Sequence, residues 1–183
     1  MAKARRFTIR SLKPRDMKDL VEAYYSYYDD AKKDPGFGLM LLRKKPPYAE
    51  ERKWFRKVRE SIRKGNTIAS VAVVDGKVVG MCDVSTRMPG SPASHIGSLG
   101  IAIRAGYRDT GIGDALVKDL IRRSRGRYEI LKLEVFRNNG RARHLYAKNG
   151  FRRYGLLKNG IKRGSRYYDE ELMYLNLKKG LKG

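Results

Sequence analysis

The run Ile96-Gly97-Ser98-Leu99-Gly100-Ile101-Ala102-Ile103, followed by Arg108-Asp109-Thr110-Gly111-Ile112-Gly113, decides the fold. The first part is apolar and of strand type. After the glycines, Ile112, Ala115, Leu116 and Leu120 recur at helix spacing. The junction reads strand, glycine turn, helix. Glycine lets the chain turn sharply and, lacking a β-carbon, lets an anion approach the main chain. The first amides of the helix lack partners within it and lie at the positive end of its dipole, a geometry that binds phosphate. On its own, an R-x-x-G-x-G turn is also met at ordinary loop-to-helix junctions.

Outward on the C-terminal side, Leu131, Leu133 and Val135 alternate with Lys132 and Glu134, so Tyr128 to Phe136 is a strand. A helix is predicted over about Asn139 to Lys148, stopping at Asn149-Gly150. On it Asn139, Ala142 and Tyr146 fall at i, i+3 and i+7 and share a face. Phe151 to Leu157 and Arg166 to Leu177 form a last strand pair joined through Asn159-Gly160 and Arg163-Gly164; the tail from Lys178 to Gly183 is polar and expected to fray. On the N-terminal side, Thr67 to Val74 and Lys77 to Ser85 flank Asp75-Gly76, a two-residue hairpin turn. A helix over about Tyr48 to Lys64 turns Trp54, Phe55, Val58 and Ile62 inward, with Glu50 and Glu51 at its positive end. An earlier helix starts at Pro14, carries Met17, Leu20, Val21, Tyr24 and Tyr28 on one face, and breaks at Asp34-Pro35-Gly36. Phe7 to Arg10 is the first strand. The order β-α-α-β-β-β-α-β-α-β-β, with a right-handed crossover from 95–104 to 128–136, gives a mixed α/β sheet with helices on both faces. No repeat or linker-like segment interrupts it, so one domain over 1–183, with its core at about 6–177, is expected.

Composition narrows the function classes. The chain has 183 residues, 41% hydrophobic and 33% charged, enough for a real core. No apolar run is long enough to span a membrane and the start lacks a signal-peptide core, so a cytoplasmic location without membrane contact is expected. Lys+Arg number 42 against 19 Asp+Glu, a net charge of +23, which attracts polyanions: nucleic acid, an acidic protein or a phosphorylated ligand. That charge is spread along the whole chain and marks no separate nucleic-acid module. Glutamine is absent and cysteine scarce, as fits a thermophile. The single Cys82 lies in an apolar strand and reads as a buried small residue. Cys82, His95 and His144 are not in metal-ligand spacing, so no metal is expected.

Glu134, Asn139 and Tyr146 converge with the glycine turn on one seam of the sheet. Arg108-x-x-Gly111-x-Gly113, followed by Asn139-x-x-Ala142-x-x-Leu145-Tyr146-x-x-x-Gly150-Phe151, resembles the GNAT superfamily of acyl-CoA N-acyltransferases. The Arg166-Tyr167-Tyr168-Asp169-Glu170-Glu171-Leu172-Met173 ending is similar to many members too. The resemblance implies a mostly antiparallel seven-stranded sheet with a split between the strands at 95–104 and 128–136. It implies acetyl-CoA as co-substrate, with Ile101, Ala102 and Ile103 along its pantetheine arm. The amides of Asp109, Thr110, Gly111, Ile112, Gly113 and Asp114 would hold the pyrophosphate, Arg108 would add charge, and Asn139 would bind the arm. Tyr146 would stand near the thioester sulfur, and Glu134 is similar to the general base of the ribosomal-protein N-terminal acetyltransferases.

The chemistry asks for such groups. An amine near pKa 10 must lose a proton before it attacks, and a carboxylate can take it. The amide of Ile103 would stabilise the oxyanion, a contact of a class worth about 3–4 kcal/mol. The phenol of Tyr146 would protonate the leaving thiolate. Each residue has a structural alternative: Glu134 pairing with an arginine, with Asp83 a substitute base; Tyr146 as core; His95 as a capped residue; Arg141 and Arg143 on cofactor phosphates or in solvent. Tyr24, Tyr25, Tyr27 and Tyr28 read as helix packing before a base-stacking platform, with the remainder lining a groove. The expected reaction is direct acetyl transfer to a primary amine of an amino acid, a protein N-terminus or a lysine, on an acidic or nucleic-acid-associated partner. The resemblance places the acceptor over the region between the first two helices and under the 157–165 hairpin; Arg43, Lys44, Lys45, Lys158, Lys162 and Arg163 fall in those segments and disfavour a polycationic acceptor. The enzyme would act as a monomer or homodimer. The alternative is an inactive CoA-binding or RNA- or ribosome-associated basic protein of the same fold.

Overall fold

A computed structural model describes residues 6–34 and 37–178; Pro35-Gly36 of the predicted helix break, and the tail from 179 on, lie outside the described residues. Seven strands form one sheet in the order β1-β2-β3-β4-β5-β7-β6. Their ranges are β1 Thr8–Ser11, β2 Thr67–Val74, β3 Lys77–Thr86, β4 Ile96–Ile103, β5 Ile130–Phe136, β6 Arg152–Arg163 and β7 Arg166–Asn176. Four α-helices, α1 Met17–Lys33, α2 Tyr48–Arg63, α3 Ile112–Ser124 and α4 Gly140–Lys148, cover it. Every strand pair is antiparallel except β4 with β5.

Period-two alternation assigns the two faces. In β2, Val71 packs with Leu20 of α1 and Phe55 of α2, while Ala72 and Val74 pack with Leu116, Val117 and Leu120 of α3. Tyr146 of α4 joins the α3 side. Gly97 marks the tightest point of that core: a β-carbon there would stand 2.5 Å from Val84 Cγ1 and 3.0 Å from Leu131 Cδ2.

Two helix faces differ from expectation. On α1 the buried residues are Leu20, Val21, Ala23 and Tyr27, so Tyr27 rather than Tyr28 extends the stripe, at i+7 from Leu20. Tyr28 instead donates to Lys44 O at 3.2 Å and Tyr25 to Pro46 O at 2.8 Å, tying down the chain between α1 and α2. On α2 Phe55 is buried but Trp54 is 42% exposed, because Glu51 and Phe55 (i, i+4) hold the inward face. β6 also runs past its expected end at Leu157 to Arg163. The register shifts between Leu157 and Ile161, and Asn159 there adopts φ +55°. Asn159-Gly160 is thus an irregularity within a long hairpin, and the reversal comes at Gly164.

Candidate active site

The parallel ladder of β4 and β5 lasts three residues, Ile96 with Ile130 to Ser98 with Lys132, and then the strands part. From Leu99 on, β4 keeps only its β3 neighbour, with Gly100 opposite Asp83 and Ala102 opposite Met81. Arg104 N–H donates to Val79 O on β3 at 2.9 Å. Strand alternation then turns Ala102 and Gly100 toward β3 as well, and the peptide groups of Ile101 and Ile103 toward the split. The Ile103 carbonyl accepts from Arg108 Nε at 2.9 Å, as that direction requires.

The split opens a groove of about 1070 Å³ that borders Ile101 to Ile103, Glu134, Asn139, Arg141, Tyr146 and the turn before α3. In that turn Asp109 has φ +62° and Gly111, the residue that caps α3, has φ +85°. Gly111 takes this left-handed conformation without cost; aspartate tolerates it better than most residues. Among the described residues, none of the amides from Asp109 to Asp114 donates to a protein acceptor. Four of these residues, Asp109, Gly111, Gly113 and Asp114, border the groove, and unpartnered main-chain donors there fit a phosphate-bearing co-substrate. The side chains of Thr110 and Ile112 do not take part: Thr110 Oγ1 donates to Tyr107 O at 2.7 Å and Ile112 is buried in the core. Gly113 would bring a β-carbon to 3.2 Å from Leu145 Cδ2, so it sets how closely α3 approaches α4.

Arg108 adds less free charge than expected. Its guanidinium donates to Asp30 on α1 at 2.6 Å as well as to Ile103 O, and stacks over the Phe37 ring. It binds the strand end to α1 and the chain after it. Arg141 pairs with Asp109 at 2.6 Å across the mouth of the turn, and Arg143 donates to buried Glu171 at 3.1 Å. Asn139 does not project from α4 but caps it, its Oδ1 accepting from Ala142 N–H at 3.1 Å. Only its Nδ2 remains for a ligand, and Gly38 lies directly against that carboxamide.

Tyr146 is 6% exposed, edge-on to Phe151, and borders the groove. Burial raises its phenol pKa, so the hydroxyl keeps its proton. Glu134 borders the same groove, nearly half exposed, with Oε1 accepting from Lys132 Nζ at 3.1 Å. His95 Nδ1 donates to Pro92 O at 2.9 Å, and the ring borders neither cavity. Cys82 is fully buried and its thiol pKa is raised, which leaves it inert.

A second cavity, about 630 Å³, lies on the other face of β4 between α1, α2 and β3, and shares Gly100, Ile101 and Ala102 with the groove. Asp83 stands at this shared wall, its carboxylate beside Gly100, with no hydrogen bond or ion pair. Burial pushes its pKa up to about 6. Tyr24, Tyr27, Met40, Trp54 and Met81 line the rest, with Glu50 and Glu51. Lys45 instead lies over the Tyr25 ring, and Arg163 donates to Phe37 O and Leu39 O at 2.7 Å each. The charges that disfavour a polycation therefore stand outside this pocket, whose own charged lining is Glu50, Glu51 and Asp83 with Lys53 and Lys57. Sequence reading missed Glu51, Trp54 and Met81 as lining residues; all three look like ordinary positions of an amphipathic helix or strand. Among the described residues no cluster of three or more His, Cys, Asp or Glu could hold a metal ion, and no helix is long and apolar enough to cross a membrane.

Residues 20–151 match the description "Acetyltransferase (GNAT) family". Over 105 residues the chain is 30% identical to the L-amino acid N-acetyltransferase AaaT of Escherichia coli (strain K12). That match takes in 56% of this chain and 64% of the relative, less than two thirds of its length. An acetyltransferase of the GNAT family from Streptococcus pneumoniae has a similar structure: TM-score 0.76, 25% identity, 93% of this chain and 99% of that one. A GNAT superfamily phosphinothricin acetyltransferase from Sinorhizobium meliloti, solved with acetyl-CoA, superposes with TM-score 0.76 at 22% identity over 96% of this chain and 90% of that one. At that identity the second likeness shows the fold.

Proposed function

Because the chain belongs to the GNAT family of acetyltransferases, we propose that it moves an acetyl group from acetyl-CoA directly to a primary amine, as one domain and without a metal. One observation carries this: a groove bordered by unpartnered amides of the turn before α3 meets a second pocket, which holds Asp83 and Glu51, at the backbone of Gly100 to Ala102. A thioester and an amine brought in from the two sides would meet there. Acetyl-CoA supplies the activated acetyl group; all else falls to this chain.

The amides of Asp109 to Asp114 hold the pyrophosphate and fix the depth of the arm, with Asn139 Nδ2 and the peptide groups of Ile101 and Ile103 along its length. The N–H of Ile103 faces the split, where negative charge grows on the carbonyl oxygen during attack. Tyr146 donates its proton to the departing sulfur, a task its burial suits because it never enters the reaction ionised. Asp83 takes the proton of the amine. It faces the acceptor pocket, holds no partner, and at about 6 its pKa is low enough to be ionised at pH 7 and close enough to accept a proton. Glu134, the base implied by the resemblance, is the second reading. Its place in the groove favours it, and its pairing with Lys132 disfavours it.

The test is acetyl-CoA turnover followed by thiol release with a panel of primary amines, for wild type, Asp83→Asn and Glu134→Gln. Turnover abolished in Asp83→Asn and retained in Glu134→Gln supports the assignment; the opposite pattern moves the base to Glu134. CoA binding with no turnover on any amine would leave a CoA-binding protein, and salt-sensitive RNA binding indifferent to CoA would favour an RNA-associated one.

A further inference from the structure

Glu51 is a charge without a counterpart. It sits in the first turn of α2, is only 7% exposed, and borders the acceptor pocket. Among the described residues no hydrogen bond or ion pair satisfies its carboxylate, whereas its neighbour Glu50 accepts from Lys53 at 2.7 Å. The positive end of α2 explains an acid in the first turn. It does not explain one that is buried at the pocket beside Tyr25 and Tyr28, where an unpaired charge is costly. Burial raises the Glu51 pKa, in keeping with that cost.

The pocket thus carries two unpartnered carboxylates, and they stand apart. Glu51 acts electrostatically on Tyr25 and Tyr28, near the chain that closes the pocket at residues 44–46. Asp83 stands on the β4 side, beside Gly100. Between them the walls are apolar and aromatic, and about 630 Å³ is room for a small molecule rather than a single methylamine. Lys53 is taken up by Glu50 and Lys57 is exposed at the rim, so among the described residues no cation pairs with Glu51.

We propose that the acceptor is a small two-ended amine: one amino group presented to β4 beside Asp83, an apolar or aromatic body against Tyr24, Tyr27, Trp54 and Met81, and a second cationic N–H group held by Glu51. This rests on the acetyltransferase reading for its first end only; the second end is a binding site whether or not acetyl transfer occurs. Glu51 is a specificity residue, since it contacts the acceptor away from the reacting atoms.

The experiment compares 1,4-bis(aminomethyl)benzene with 4-methylbenzylamine, which differ in the second amine alone. Trp54 is the one tryptophan of the chain and stands on the pocket wall, so its fluorescence reports binding of either amine in the presence of CoA, without turnover. The diamine is expected to bind at least about tenfold more tightly. Glu51→Gln, close in shape, should erase that difference by weakening the diamine alone. In thiol-release assays it should raise KM for the diamine with kcat and the KM for acetyl-CoA unchanged. Removing an unpaired buried charge should also leave Tm equal or higher, so loss of binding cannot be blamed on misfolding. Equal affinities in wild type, or an equal loss of both amines in Glu51→Gln, would overturn the proposal. Tight diamine binding through Glu51 with no acetyl transfer would uphold it and overturn the enzymatic reading instead.

Discussion

At Asp83, burial without a partner turns an ordinary strand aspartate into a group that titrates near neutrality. Its ionised form, the form that can accept a proton, exists above a pKa of about 6. The rate at limiting substrate is therefore expected to climb as pH rises through about 6 and to fall away below it. Asp83→Asn should lower kcat by about 100-fold or more and remove that acid limb from the pH profile. Tyr146 has the opposite bias: burial keeps it protonated. Tyr146→Phe should reduce kcat by about 10–100-fold, with the Kd for acetyl-CoA measured by calorimetry unchanged. Asp114 works on stability. Its Oδ2 accepts from Lys118 at 2.8 Å and its Oδ1 from Asn149 at 2.9 Å, joining the start of α3 to the end of α4. These contacts hold its pKa down to about 2, below the ordinary carboxylate value. Such stabilisation is complete above the unfolded-state pKa, about 4, and is lost as pH falls toward 2. Asp114→Asn should lower Tm modestly at pH 7 and flatten the decline of Tm between about pH 4 and pH 2.

The turn before α3 and the end of β4 are built as elements rather than residues. Gly111 has φ +85° and open space where a side chain would point. Gly111→Val forces a β-branched residue into that conformation and puts its methyls beside the amide donors. The Kd for CoA should rise at least about tenfold; an unchanged Kd would remove the phosphate role from this turn. Gly97 shows a different demand, close packing: Gly97→Ala should destabilise the chain by about 1–3 kcal/mol in urea unfolding, because Val84 and Leu131 already fill the site. The β4–β5 split has no local sequence cause. Leu99 to Ile103 are as strand-like as Ile96 to Ser98, and β5 continues in full register with β7 to Phe136. The divergence comes from how the two strands are held on their other sides.

Over the whole molecule, the pieces of the site are fastened across long sequence distances. Arg163 of the β6–β7 hairpin grips Phe37 O and Leu39 O, and Arg108 ties the turn after β4 to Asp30 of α1. The chain between α1 and α2 is thereby pinned between the two cavities. Arg163→Ala should raise KM for both substrates and speed proteolysis around residues 37–45, with the sheet core unaffected. The net charge of +23 acts at a longer range. With an anionic CoA thioester as substrate, kcat/KM for it should fall as salt is raised from about 50 to 500 mM, since screening removes the attraction.

Read alone, the sequence determines through neighbouring residues the elements, their order and the glycine turn before α3, because each is written locally: hydrophobic period, Asp75-Gly76, Gly111-x-Gly113. It also carries the family through two spaced motifs, which the match over residues 20–151 bears out. It leaves open what depends on tertiary partners: Arg108 also pairs with Asp30 of α1, and Tyr28 turns to a carbonyl in the following loop instead of extending the helix stripe. Among the described residues Asp83 and Glu51, like Glu170 on β7, are buried without a paired cation, and of these only Asp83 and Glu51 border the second cavity. That property belongs to no local pattern, because burial and pairing are decided when strands and helices far apart in sequence close around the same cavity.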